Sequence, residues 1–166
     1  MSAFSEFLKA GLRRWRQRRS SWRTLVGSAK HSKPIYSRHV SGIWGEDAAA
    51  AFLKKKGFAI IGRRVKEYRD EIDIVAEARV GGAKQLVFVE VKTRGYDAFG
   101  GGRAAVDTRK RRILCRAAAH YLRRCPKAAF RFDIIEVIGN PDSSEAPQIR
   151  HFENAFPMDR RFFFAG

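Results

Sequence analysis

The stretch LVFVEVKTR, residues 86–94, reads as a β-strand, yet it carries an acid and a base two positions apart. Along a strand Leu86, Phe88, Glu90 and Lys92 face one way, and Val87, Val89 and Val91 face the other. Both faces begin apolar, the pattern of a central strand in a sheet covered on both sides. Charged groups in such a place cost several kcal/mol unless they are paired or bound to a cation. The strand is therefore both the centre of the expected fold and the first place to look for chemistry.

The flanking segments supply its neighbours. Upstream, EIDIVAEARV (71–80) reads as a strand with Ile72, Ile74 and Ala76 on one face and Glu71, Asp73, Val75 and Glu77 on the other. The turn signal Gly81-Gly82 joins it to 85–93 as a hairpin, which can bring Asp73 level with Glu90. Before it, FAIIGRRVKEY (58–68) is a strand with an expected irregularity at Gly62. GEDAAAAFLKKKG (45–57) predicts a helix over 43–56, with Glu46 and Asp47 in its first turn, Lys54, Lys55 and Lys56 in its last, and a stop at Gly57.

Downstream, GYDAFGGGRAA (95–105) is a loop, and a helix is expected over 107–124, with Ile113, Ala117 and Tyr121 on one apolar stripe and Leu114, Ala118 and Leu122 beside it. FRFDIIEVI (130–138) is a final strand. A strand reached through a helix usually runs parallel to a neighbour. The expected architecture is α/β, a mixed sheet of about four strands flanked by helices. From Gly139 the tail reads as irregular, with Phe152, Phe156 and residues 162–164 packing on the domain.

The chain has 166 residues, 34 basic against 17 acidic, for a net charge of +17. Such an excess concerns partners rather than fold. Residues 1–40 hold ten Lys or Arg against one acid, Glu6, and read as a basic extension, helical or disordered; residues 41–166 read as the α/β domain. Trp15 and Trp22 lie among its arginines, where they could stack on bases. No apolar run approaches the roughly 20 residues of a membrane span, and no secretory segment is evident, so a cytoplasmic protein is expected and a membrane is the less expected partner. Cys115 and Cys125 lack metal-ligand spacing and read as reduced packing residues. The histidines are scattered, without zinc spacing.

Asp73 and Glu90 converging beside Lys92 would suit Mg²⁺, which takes one or two protein carboxylates plus water and phosphate oxygens. Lys92 could then hold or polarise an attacking water. The plain alternative is a salt bridge at the end of the sheet.

Five segments in order, GEDAAAAFLKKKGFAII, DEIDIVA, LVFVEVKTR, AFGGGRAAVDTRKRRIL and RFDIIEV, resemble the YraN family of bacterial proteins over about residues 42–156. That family is regarded as endonucleases similar to the restriction-endonuclease-like superfamily, with its D…(D/E)-x-K core, and to archaeal Holliday-junction resolvases. The resemblance implies a restriction-endonuclease-like domain that cleaves DNA, including branched DNA, with Mg²⁺ or Mn²⁺ and no small-molecule cofactor. Asp73, Glu90 and Lys92 would be its core, with Asp73 and Glu90 on the metal, Glu46 the first-helix acid beside it, and Glu71 in the same motif. A two-fold junction as substrate would favour a homodimer.

The basic residues beside these motifs, Arg94, Arg103, Arg109 and Lys110, are the expected contacts to the nucleic-acid backbone, with solvated side chains as the alternative for Arg103 and for part of the run 109–112. Two positions depart from the family: Asp70 where Gly is usual, adding an anion near the expected metal, and Arg64 where Asn is usual. The rival classes are a non-cleaving nucleic-acid-binding module of the same fold and, from the basic extension, a membrane-surface or ribosome-associated protein.

Overall fold

The computed structural model describes residues 38–95 and 107–163. The basic extension up to residue 37, the loop containing Gly100, Gly101, Gly102 and Arg103, and residues 164–166 lie outside them. The elements in chain order are helix α1 (Arg38–Lys55), strands β1 (Ala59–Glu67), β2 (Asp70–Val80) and β3 (Ala83–Arg94), helix α2 (Thr108–Leu122), strands β4 (Phe130–Ile138) and β5 (Gln148–Phe156), and a short 3₁₀ turn, Arg160–Phe162.

One mixed sheet runs β1-β2-β3-β4-β5. β3 is its middle strand, antiparallel to β2 and parallel to β4, which the chain reaches through α2. Gly81 and Gly82 both take positive φ, 57° and 84°, between paired Val80 and Ala83, the backbone a tight two-residue hairpin requires. β1 bulges between Ile60 and Gly62, as expected.

The two faces of β3 separate as the alternation predicts. Val87 and Val89 pack with Ala49, Ala50 and Leu53 of α1 and with Ile74, Ala76, Ile135 and Val137. Phe88 packs on the other side with Leu114, Cys115, Ala117 and Ala118 of α2 and with Val75, Phe132, Ile134 and Phe156. Both cysteines are free.

Four expectations are corrected. The tail after Gly139 is not wholly irregular, because residues 148–156 form β5 on the outer edge of β4. Its sequence QIRHFENAF alternates weakly, because a register shift opposite Asp133 and a left-handed Asn154 interrupt the strand. α1 begins at Arg38, so Glu46 lies in its third turn and the helix dipole is not what holds it. Ile72 does not share a face with Ile74, since it joins Val75 on the α2 side. A regular strand cannot put residues 72 and 75 on one face, so β2 changes facing around Asp73. Asp70 stands away from the other acids: Arg116 of α2 donates to both its oxygens, at 2.6 and 2.8 Å.

Candidate metal centre

The local break in β2 presents Asp73. Ladder pairing between β2 and β3 reaches Ile74 opposite Val89 and stops there. The Val91 N–H, next in line on β3, donates instead to Asp73 Oδ2 at 2.7 Å. A carboxylate thus replaces a backbone carbonyl at the point where the strands part. Glu90 is the neighbouring residue on β3 and is 2% exposed. Lys92, two residues on and on the same face, places Nζ 2.9 Å from Glu90 Oε1. From α2, Lys110 brings its Nζ within 3.3 Å of Glu90 Oε2. That oxygen is screened from solvent, and no donor among the described residues meets it in hydrogen-bond geometry.

These charges shape one another. Burial, and then the negative charge of Glu90, push the Asp73 carboxyl up to about 7, against the Val91 N–H and Lys110, which stabilise its anion. Glu46 adds a smaller upward push. Burial disfavours the Lys110 ammonium, but Glu90 and Asp73 outweigh it and carry its pKa above the ordinary lysine value. Lys110 therefore belongs to the acidic centre itself, whereas the sequence suggests a contact with the nucleic-acid backbone.

Glu46 reaches this region because α1 passes unusually close to the end of β3. A Cβ on Gly45 would lie 2.0 Å from Thr93 Oγ1, so only glycine permits the approach. Glu46 is buried, with Arg63 and Arg64 of β1 at 3.8 and 3.9 Å from Oε2. No hydrogen-bond donor among the described residues serves that oxygen. Burial raises the Glu46 pKa more strongly than the two arginines lower it. Arg64 also donates to Glu71 Oε1 at 3.3 Å. Its backbone is left-handed, φ 51°, a conformation that asparagine adopts more readily than arginine. This explains why asparagine suits the position and shows what the arginine adds in exchange: a cation between Glu46 and Glu71.

Three contributors were not legible as site residues. Arg63 and Arg64 read as ordinary strand surface until α1 is laid across β1. Glu136 shares a face with Phe132 and Ile134, lies opposite Lys92 in the parallel ladder, and is buried. Arg94 places Nε 3.2 Å from its Oε1, so Arg94 is engaged with an internal acid. The spacing F-x-F-x-I-x-E in β4 is the signal that places Glu136 on the Glu90 side. Arg109 is exposed in the first turn of α2, where its N–H donates to the Asp107 cap at 3.1 Å, and it reaches none of the acids. Asp133 lies on the opposite face of the sheet, where Arg131, His151 and the Asn154 N–H satisfy it and pin β5.

Among the described residues no group of three or more His, Cys, Asp or Glu side chains is gathered to hold a metal ion. Asp73 and Glu90 are two carboxylates that repel one another, one of them with an oxygen lacking a hydrogen-bond donor. Two hard oxygen donors of like charge fit Mg²⁺ or Mn²⁺, which need only one or two such ligands besides water. No helix of the described residues is long and apolar enough to cross a membrane.

Comparison with known proteins follows the same residues. A family model described as "Uncharacterised protein family UPF0102" matches residues 45–137, from the Gly45 approach to the end of β4. A UPF0102 protein of Syntrophotalea carbinolica is 40% identical over 126 residues, covering 75% of this chain and 97% of the relative. A UPF0102 protein of Geobacter sulfurreducens is 39% identical over 136 residues, 80% of this chain and 97% of the relative. One of Symbiobacterium thermophilum is 43% identical over 122 residues, 72% and 98% respectively. This is the YraN family that the five segments resemble, and the chain belongs to it: it is a UPF0102 protein.

Proposed function

We propose that this protein is a cation-dependent endonuclease that hydrolyses phosphodiester bonds in DNA. The observation that carries the reading is the Asp73–Glu90 pair: two carboxylates set together at the break between β2 and β3, with Lys92 and Lys110 beside them. A fold gains nothing from placing like charges together in its interior. A phosphodiesterase does, because both the substrate and the developing charge on phosphorus are anionic.

In this reading Asp73 and Glu90 hold Mg²⁺ or Mn²⁺. When bound, the cation supplies charge neutralisation at phosphate and lowers the pKa of water. Glu90 orients Lys92 through the 2.9 Å contact at Oε1, so that its ammonium can hold a water or meet a phosphate oxygen. Lys110 pairs with Glu90 Oε2 and can meet phosphate when the acids are occupied by a cation. Val91 N–H fixes the Asp73 carboxylate in place. Glu46, with its oxygen lacking a donor, supplies a further acceptor near the strand end. The net charge of +17 supports a polyphosphate partner and steers it by long-range attraction.

One observation favours a second reading. Both oxygens of Glu90 already have an ammonium within ion-pair range, so the acids and lysines could form a closed cluster in a module that binds nucleic acid without cutting it. A cleavage panel separates the two: linear, nicked, flapped and four-way-junction DNA, each with Mg²⁺, Mn²⁺ or chelator. Cleavage that needs the cation and is lost in Asp73→Asn supports the nuclease. Binding without cleavage on every substrate supports the module.

A further inference from the structure

Beside His120, which lies about 15 Å along α2 from Lys110 by the rise of a ten-residue step, the β1–β2 turn carries an aromatic ring in an unusual place. Glu67 pairs with Asp70, so Tyr68 and Arg69 form a two-residue hairpin loop. The first of these positions normally takes glycine or asparagine, because its φ is positive. Here it is tyrosine at φ 55°, 80% exposed. A bulky residue in that conformation is strained, and strain of this kind concentrates at ligand-binding positions. Burial does not repay it.

The turn is nevertheless held rigidly. Arg116, His120 and Arg124 recur every four residues, a single stripe along α2 and just past its cap. Arg116 grips Asp70 through two hydrogen bonds, and Arg124 grips Glu67 in the same manner from the other side of the turn. Between them the Tyr68 ring leans on His120, with centroids 4.4 Å apart. His120 Nδ1 is screened from solvent and has no hydrogen-bond partner among the described residues, and the imidazole backs the ring. Tyr68, Arg69, Asp70, Arg116 and His120 line an open hollow of about 510 Å³. Arg69 sits in the turn itself, and Arg116 and Arg124 flank it while holding Asp70 and Glu67.

We infer that Tyr68, backed by His120, is a stacking platform for an unpaired base of single-stranded nucleic acid. The inference rests on the nucleic-acid reading above and adds to it a preference for unpaired strand. An exposed, rigidly supported ring amid cations is how proteins hold single strands, whereas a duplex keeps its bases stacked on one another and cannot use the platform. The step of about 15 Å between Lys110 and His120 corresponds to roughly four stacked nucleotides, at about 3.4 Å each along one strand. A strand stacked on Tyr68 would then extend to the carboxylates.

The test is equilibrium binding of the full chain, in chelator so that nothing is cut, to a fluorescently labelled oligothymidine and to a duplex of the same length. Tyr68→Ala should weaken binding to the single strand about ten- to a hundredfold while duplex binding stays unchanged. Tyr68→Phe, which keeps the ring, should bind like the wild type. Tyr68→Gly should lose single-strand affinity while its Tm holds or rises, because glycine relieves the backbone. Equal losses on both nucleic acids, no loss on either, or loss of single-strand binding in Tyr68→Phe as great as in Tyr68→Ala would overturn the platform. Absence of cleavage in the metal panel would remove the nuclease reading and leave this measurement intact.

Discussion

Asp70 and Asp73 lie three residues apart on β2 and are held in opposite ways. Arg116 grasps both oxygens of Asp70 and lowers its pKa, so the charge there is answered and the hairpin is fastened to α2. Asp73 meets another acid, Glu90, and its carboxyl is pushed up to about 7. One carboxylate is a fastening, and in the proposed reading the other is held for a cation. Residue type does not distinguish them; the partner contributed by the next element does. Asp133 extends the contrast on the far face, where full satisfaction by three partners again marks a residue that holds the sheet together.

The contrast can be broken most forcefully by exchanging carboxylate for amide at each position. Asp73→Asn keeps an oxygen to accept the Val91 N–H but removes the charge. Cation-dependent cleavage should fall at least about a hundredfold, the lower end of what a positioned catalytic group contributes, with the metal-free fold no less stable. Asp70→Asn should do the reverse. Losing charge-assisted bonds to Arg116 should cost about 1.5–3 kcal/mol in urea unfolding, with the rate per folded molecule unchanged. Equal effects of the two substitutions on rate would erase the distinction.

Gly45 sharpens the same contrast from the side of α1. Gly45→Ala drives a methyl into Thr93 Oγ1 and should destabilise by about 1–3 kcal/mol, as overpacking does. It should also displace Glu46 and lower activity beyond the stability loss. Thr93→Ala in the same chain should restore part of both, measured by thermal unfolding and by single-turnover cleavage.

A further effect is in pH. Above the ordinary carboxyl value of 3.8 the unfolded chain has released the Asp73 proton, while the folded chain keeps it until about 7. The folded state then binds more protons, so metal-free stability should decline as pH rises between those values. Asp73→Asn should lack this decline. Asp70, with its lowered pKa, contributes the opposite slope, stability that is lost as pH falls through its folded value.

Much of this was legible before any coordinates. The alternation of Val87, Val89 and Val91 against Phe88, Glu90 and Lys92 places β3 in the middle of the sheet and its charges on one side. The glycine pair after β2 makes the hairpin that sets Asp73 beside Glu90. What stayed hidden depends on contacts between segments far apart in the chain. The shift of facing at Asp73 coincides with the end of the β2–β3 ladder at Ile74, which no local pattern records. β5 is an edge strand bent by a register shift opposite Asp133 and a left-handed Asn154, so its alternation is blurred. Glu136 reads as one more acid in a strand until the parallel register sets it beside Lys92.

The central claim, that Asp73 and Glu90 are reserved for a divalent cation, is tested most directly by the thermal midpoint with and without Mg²⁺ or Mn²⁺. A cation that binds only the folded state stabilises it by about 2.7 kcal/mol at a hundred times its Kd. The wild-type midpoint should rise with cation concentration. Asp70→Asn should rise in parallel from a lower start, and Asp73→Asn should stay flat. A wild type that does not respond, or an Asp73→Asn variant that responds equally, would contradict the account and leave the four charges as an internal salt-bridge cluster.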